Sequence, residues 1–195
     1  MTLTAKQTRA WLLNFSNKIH DNKQYLSDLD QAIGDGDHGS NMSRGVTAVE
    51  AAITDESLEK ASDVMKKAAM AMVSKVGGAS GPLYGSAFLE MAKVIDNEAI
   101  ARVIAAGLDG IKKRGKAEVE DKTMVDMWAP VVDALQDGRL SVEAIEEAKA
   151  QTKPLKAKKG RASYLNERSI GHLDPGAVSS SYLFIALLEE VEVND

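Results

Sequence analysis

Between Asp30 and Asn41 the chain reads Asp30-Gln-Ala-Ile-Gly34-Asp35-Gly36-Asp37-His38-Gly39-Ser40-Asn41, three carboxylates, a histidine and three glycines in twelve residues. Ile33 is the only bulky apolar side chain between Leu29 and Met42. Core packing does not ask for that composition. Asp35 and Asp37 are two apart, so on an extended or turning backbone their carboxylates fall on one side. Gly34, Gly36 and Gly39 permit positive φ and let main-chain N–H groups face inward. Asp30 joins the cluster if the intervening residues turn back. Carboxylate oxygens without cysteine, and with one histidine at most, favour a hard cation. Mg²⁺ suits a site with few protein ligands in which phosphate oxygens complete the shell. Without a cation, three carboxylates this close repel one another.

Three other readings compete. Gly34 to Gly39 formally spells G-x-G-x-x-G, but a dinucleotide fingerprint follows a strand, and carboxylates in its loop repel a pyrophosphate unless metal intervenes. An EF-hand starting at Asp35 needs glutamate at its twelfth position, where this chain has Val46. An Asx-rich turn capping the next helix accounts for one Asp-Gly pair. It does not account for three aspartates interleaved with three glycines, and the metal site is the preferred reading.

The elements that must position this loop are helical. Ala, Met, Leu, Lys and Glu are abundant and aromatics make up 5% of the chain. Thr4 and Gln7 have the form of a capping box, and Trp11, Leu12, Phe15 and Ile19 follow at helical spacing, predicting a helix over 5–21. Tyr25, Leu26 and Leu29 predict one or two helical turns that anchor Asp30. A second helix is expected over 42–53, with its N-terminus at Ser40 and Asn41. A helix start beside an acidic glycine loop offers N–H groups and a positive dipole end to a phosphate.

A third helix is expected over 57–76, its methionine stripe reading as core. Gly77-Gly-Ala-Ser-Gly-Pro-Leu-Tyr-Gly85 follows, then an apolar helix through Phe88, Leu89, Met91 and Val94. No Lys-Ser or Lys-Thr pair makes this a Walker loop. It reads either as a tight connection between packed helices or, preferably, as a backbone surface for a ligand. Further helices are expected over 98–113 (ended by Gly115), over 123–135 but interrupted by Pro130 as a kink or an early turn, over 142–152 capped by Ser141, and from Asp174-Pro175-Gly176 onward. The total is eight, with no period-two alternation and hence no sheet. The stretch 153–174 is long, irregular and basic, either a solvated loop or one that closes over an anion. If the helices run up and down, alternate connections share one end, and the glycine-rich and charged loops converge there.

At 195 residues with 44% hydrophobic and 27% charged residues, the chain reads as one soluble domain over 1–195. A net charge of −5 argues against a nucleic-acid partner. The absence of cysteine excludes disulfides and thiolate chemistry and suits the cytoplasm. The polar N-terminus does not read as a signal peptide, and no stretch has the roughly 20 apolar residues that span a bilayer.

Five stretches in order resemble a known family. They are Asp30 with Ile33 to Met42, Gly77 to Gly85, Asp121-Lys-Thr-Met124, Lys159-Gly-Arg-Ala-Ser-Tyr164 and Gly171-His-Leu-Asp-Pro-Gly-Ala177. They are similar to the nucleotide-binding L subunits of dihydroxyacetone kinases of the phosphotransferase-system type. The resemblance implies an all-α, eight-helix antiparallel up-and-down barrel with ADP or ATP and two Mg²⁺ ions at one end. Asp30, Asp35 and Asp37 would hold the ions, and His38, Gly39, Ser40 and Asn41 would contact the phosphates. Ala79, Ser80, Gly115, Thr123 and Met124 would line the rest of the pocket, completed by Arg161 and Asp174, Pro175 and Gly176. Tightly bound ADP would accept phosphoryl from a phosphohistidine of an M subunit, and the ATP formed would phosphorylate dihydroxyacetone on a K subunit. A homodimer is left open. Two positions depart from the family pattern: Glu120 stands where glycine usually precedes Asp-Lys-Thr-Met, and Asn166 where glycine often follows Tyr-Leu. His38 as a phosphoryl carrier, and a nucleotide-binding regulatory module, a transcriptional coregulator that reports ADP or ATP state to a transcription factor, are the other readings of the same residues.

Overall fold

The computed structural model describes residues 2–54 and 57–193, so the two ends of the domain expected over 1–195, and the pair 55–56, lie outside the described residues. Nine α-helices and one 3-10 segment occur among the described residues, and no strand. They are α1 (Ala5–Asp21), α2 (Lys23–Ile33), α3 (His38–Ile53), α4 (Ala61–Lys75), α5 (Ser80–Ala92), α6 (Ile100–Gly115), α7 (Val125–Gln136), α8 (Val142–Gln151) and α9 (Pro175–Val193); the 3-10 segment is Arg161–Ser169.

The all-helical expectation holds, but the count of eight is corrected by α2. Expected as one or two turns, it runs for 11 residues, with Leu26 and Ile33 buried. Ile33 sits seven after Leu26, so it extends the stripe begun by Leu26 and Leu29 by another turn. The other departures are local. α4 starts at Ala61, where Asp96 Oδ1 accepts from the amide of Ser62 at 2.9 Å. α7 runs through Pro130. α6 does end at Gly115, but the left-handed residue closing it is Lys116 (φ 54°).

The capping box at Thr4 and Gln7 forms in full, and Ser141 caps α8 by accepting from Ala144 N at 3.2 Å. Helices pack in a closed circuit, α1 on α3, then α4, α5, α6, α7 and α9, which returns to α1; α8 leans on α7 and α9, and α2 on α3 and α9. Six of the nine aromatics are spent in the middle: Trp11, Phe15, Tyr84, Phe88, Trp128 and Phe184 are all fully buried. Both indole N–H groups are satisfied, Trp11 by the carbonyl of Leu183 at 2.8 Å and Trp128 by Ser180 Oγ at 3.0 Å. Among the described residues no helix is long and apolar enough to cross a membrane.

Candidate functional site

The acidic stretch folds into a tight turn between α2 and α3. Gly36 takes φ +76° at its bend. Asp30, near the end of α2, turns its carboxylate across the gap: Oδ2 accepts from the amides of Asp37 at 2.9 Å and His38 at 3.1 Å. These are orphan donors at the start of α3, and Asp37, the formal cap residue, makes no side-chain cap bond. A residue of one helix therefore caps the next, fixing their relative position. At Gly34 a Cβ would lie 2.1 Å from Asp30 Oδ1, so only glycine leaves room for that oxygen.

Asp30, Asp35 and Asp37 each offer one carboxylate oxygen, all within 4.8 Å of one another. The Asp30 carboxyl is pushed above its ordinary range, first by burial and further by the charges of Asp35 and Asp37, against the two amide bonds. A divalent cation relieves that repulsion, and an all-oxygen donor set fits Mg²⁺. Arg161 of the 3-10 segment already reaches the cluster, its Nη1 2.8 Å from Asp35 Oδ2.

The triad stands at the mouth of a cavity of about 510 Å³, within the range of small-molecule sites. Four helices, α3, α5, α7 and α9, present their N-terminal ends at this cavity. Their dipoles and unpaired N–H groups favour an anion. The connections that precede α3, α5, α7 and α9 meet at this cavity, the convergence expected of alternate loops. Every residue assigned from the resemblance to the metal or the nucleotide lines the cavity except Gly39 and Ser40. Ser40 is exposed. Gly39 is buried, with its Cα against α2: a Cβ there would come 1.9 Å from the carbonyl oxygen of Lys23. In the second glycine loop Gly77, Gly78, Ala79 and Ser80 line the cavity. Gly81 and Gly85 instead lie within α5, where a Cβ would strike the Val76 carbonyl at 2.6 Å and the Val73 side chain at 2.3 Å. Both readings of that loop have a share in it.

His38 is buried, and both ring nitrogens are engaged: Nε2 with Ser179 Oγ at 3.0 Å and Nδ1 with Ser80 Oγ at 3.1 Å. It ties the starts of α3, α5 and α9 together. Beneath it Tyr84 Oη bonds Ser179 at 2.8 Å and Ser180 at 3.0 Å, so the polar chain runs into the core without an orphan. Burial pushes His38 down to about 4, opposed by the Pro175 carbonyl, and the imidazole is neutral at pH 7. Asp174 caps α9, its Oδ2 accepting from Ala177 N at 2.7 Å. Burial pushes that carboxyl up to about 7, with Asp126 and Asp30 adding to the rise and the Ala177 amide and Lys122 opposing it.

These two shifts act oppositely on stability. The histidine, about 4 when folded against an ordinary 6.5, costs the fold stability as pH falls through that interval. The carboxyl, about 7 when folded against an ordinary 3.8, costs stability as pH rises through its interval. Asp174→Asn, which keeps a capping side chain, is expected to make stability rise with pH more steeply than in wild type across this range. His38→Gln is expected to make it fall more steeply. Urea midpoints taken across the interval check both signs, and parallel curves for all three proteins contradict the assignment.

The turn before α7 answers the departure at Glu120. That residue takes φ +70°, a conformation suited to the glycine of the family pattern. Its amide donates to Asp126 Oδ1 at 2.5 Å, while Asp126 Oδ2 accepts from Thr123 N at 2.8 Å. Asp126 thus holds Thr123 in place whatever side chain stands at 120. Glu120→Gly is expected to leave stability within about 1 kcal/mol, since relief of a left-handed penalty of about 1–2 kcal/mol offsets the entropy of glycine. A loss above roughly 2 kcal/mol in urea unfolding would mean that the glutamate side chain braces the turn. Asn166 likewise has positive φ (50°), though with ψ −123° rather than a left-handed helical value.

Sequence reasoning missed the apolar part of the cavity, to which Leu83, Ile111 and Ala117 contribute beside Met124. Ile111 reads from its spacing as a core residue, and only its place just before the last turn of α6, with its charged run Lys112-Lys113-Arg114, hints at a wall. It also missed Lys122, whose letter lay inside a quoted motif.

Fold and site together define an all-α protein with an anion pocket walled by helix N-termini beside a carboxylate cluster. The DAK2 domain matches residues 32–189, and the chain belongs to that family. It is 56% identical to the ADP-binding subunit of a PEP-dependent dihydroxyacetone kinase of Listeria innocua, over 97% of this chain and 98% of that one. It is 52% identical to the ADP-binding subunit of a PTS-dependent dihydroxyacetone kinase of Lactococcus lactis, over 97% and 99%. The fold is that of the dihydroxyacetone kinase of C. freundii in complex with AMP-PNP and Mg²⁺ (TM-score 0.72, 23% identity). The match covers 95% of this chain and 33% of that kinase.

Proposed function

We propose that the chain is the ADP-binding subunit of a phosphoenolpyruvate-dependent dihydroxyacetone kinase, one nucleotide-binding domain over 1–195 working in the cytoplasm. The observation that carries this reading is the placement of the carboxylate triad against four helix N-termini on one cavity. Identity of 56% over 97% of the chain to a protein of that name supports it. Asp30, Asp35 and Asp37 hold two Mg²⁺ ions, which when bound neutralise phosphate charge. The amides opening α3, α5 and α9 orient the diphosphate, Asn41 and Ser80 donate to its oxygens, and Leu83, Ile111 and Met124 take the base. Arg161 adds a cation beside Asp35. Phosphoryl passes from the phosphohistidine of an M subunit to the retained nucleotide and on to dihydroxyacetone on a K subunit.

His38 does not suit a carrier role, because both its nitrogens are engaged by serine hydroxyls, Nε2 by Ser179 and Nδ1 by Ser80. A purely regulatory nucleotide module is not favoured, since the similar proteins are named as kinase subunits. The test is reconstitution: with K and M partners and phosphoenolpyruvate, the chain is expected to support dihydroxyacetone turnover with ADP retained. Retained ADP without turnover would return the regulatory reading.

A further inference from the structure

We infer that Lys122 is a positioning residue, whose buried ammonium pins both feet of the basic strap 153–172 and so sets where Arg161 meets the phosphate end of the cavity. The strap joins α8 to α9 and carries little of what holds a loop down. Of its side chains only Ala157 and Ser169 are buried, and Tyr164 is 82% exposed. Its feet meet each other: Gly171 N donates to the Lys153 carbonyl at 2.8 Å, Ala157 N to Ser169 Oγ at 2.9 Å. Beneath that junction lies Lys122 Nζ. It donates to the main-chain carbonyls of His172 at 2.5 Å, Ser169 at 2.8 Å and Leu155 at 3.0 Å, with Lys153 O at 3.4 Å on the margin. An ammonium has three N–H bonds, and the three short contacts use them all.

Lys122 is 1% exposed; no carboxylate among the described residues stands within ion-pair distance of it, and the charge of Asp174 acts on it from farther off. A charge taken this far out of water persists only when fully hydrogen-bonded, so the carbonyls and the ammonium hold each other. Lys122 itself has φ +59°, at the turn that Asp126 fixes. From this anchor the strap crosses the cavity. Lys158 N donates to the Asp121 carbonyl at 3.0 Å, Lys159 to Ala162 line the cavity, and Arg161 ends 2.8 Å from Asp35. The path from Lys122 to the acidic cluster is thus one continuous strap, with the Lys122 ammonium gathering the carbonyls of both its feet.

The inference deepens the nucleotide reading and rests on it for its consequence, not for its structural core. Lys122→Met keeps most of the stem and removes the ammonium. Amide exchange over 155–171 is expected to rise about tenfold or more, and Mg²⁺-ADP is expected to leave about tenfold faster. Arg161→Ala should also speed release, and the double variant should release no faster than the worse single one, because Lys122 acts through Arg161. The chain has no cysteine, so Lys122→Cys can be alkylated with 2-bromoethylamine while unfolded and then refolded. That restores an ammonium, and both exchange and release should return towards wild type. Wild type offers a readout free of folding defects: a slowly exchanging ¹⁵Nζ ammonium signal from Lys122. Unchanged strap exchange in Lys122→Met, multiplicative effects in the double variant, no recovery on alkylation, or a solvent-like ammonium would each overturn the inference. If wild type binds no Mg²⁺-ADP, the nucleotide reading fails, while strap exchange still decides the role of the lysine.

Discussion

A chain carrying Asp35→Asn and Asp37→Asn together is expected to lose Mg²⁺-dependent retention of ADP, its affinity falling by a factor of about a thousand or more. The size follows from charge. At a site near the surface, two unit charges about 4 Å apart interact by roughly 4 kcal/mol, and a divalent ion loses two such partners. The double charge of the ion doubles each interaction, and even a quarter of the nominal sum is about 4 kcal/mol, or roughly a thousandfold. The fold has no reason to suffer. Both side chains are exposed and neither caps a helix; Asp30 alone accepts from the amides of Asp37 and His38. The Arg161 pair lost at Asp35 is a partly exposed one, worth about 1 kcal/mol at most. Equilibrium dialysis of ADP with and without Mg²⁺, beside a melting curve, measures both. Full retention in the double variant would remove the metal from the account.

Gly39→Ala should have the largest effect on stability of any single methyl group added to the chain, about 3 kcal/mol. Its Cβ would lie 1.9 Å from the carbonyl oxygen of Lys23 and 2.7 Å from Ser27 Oγ. A main-chain oxygen cannot swing aside, so α2 has to back away from α3, as in severe overpacking. The consequence reaches the chemistry, because α2 carries Asp30. Metal affinity is therefore expected to fall although no ligand has been altered. Gly138→Ala is the control: it has φ +66° but nothing within 4 Å, and costs only the left-handed backbone penalty, about 1 kcal/mol. Urea unfolding of the two variants makes the comparison, and equal losses would mean that α2 and α3 are not packed this closely.

What the letters revealed follows from what each residue has to do. The acidic stretch was legible because no packing requirement selects three aspartates between glycines. The helices around it were legible because their apolar spacing is regular and Thr4, Ser141 and Asp174 cap as expected. The length of α2 was not, since Leu26, Leu29 and Ile33 are too few to distinguish a turn from a helix. Glycine was ambiguous for a physical reason. The same lack of a Cβ serves the bend at Gly36 and the close helix contacts at Gly39, Gly81 and Gly85. His38 reads in sequence as a phosphate contact beside aspartates, yet the partners of its ring lie 42 and 141 residues away. Lys122 was harder still. Its acceptors are carbonyls 31 to 50 residues distant, and a carbonyl leaves no mark on sequence.

The proposed function rests on divalent ions seated by Asp30, Asp35 and Asp37 drawing a diphosphate onto the starts of α3, α5 and α9. Crystals grown with ADP and Mn²⁺ in place of Mg²⁺ test it most directly, through the anomalous signal of the metal. The expected map has manganese bound by those three carboxylates, with the diphosphate between them and the starts of α3, α5 and α9. Manganese elsewhere, with the three aspartates turned to solvent and the nucleotide outside the cavity, would contradict it.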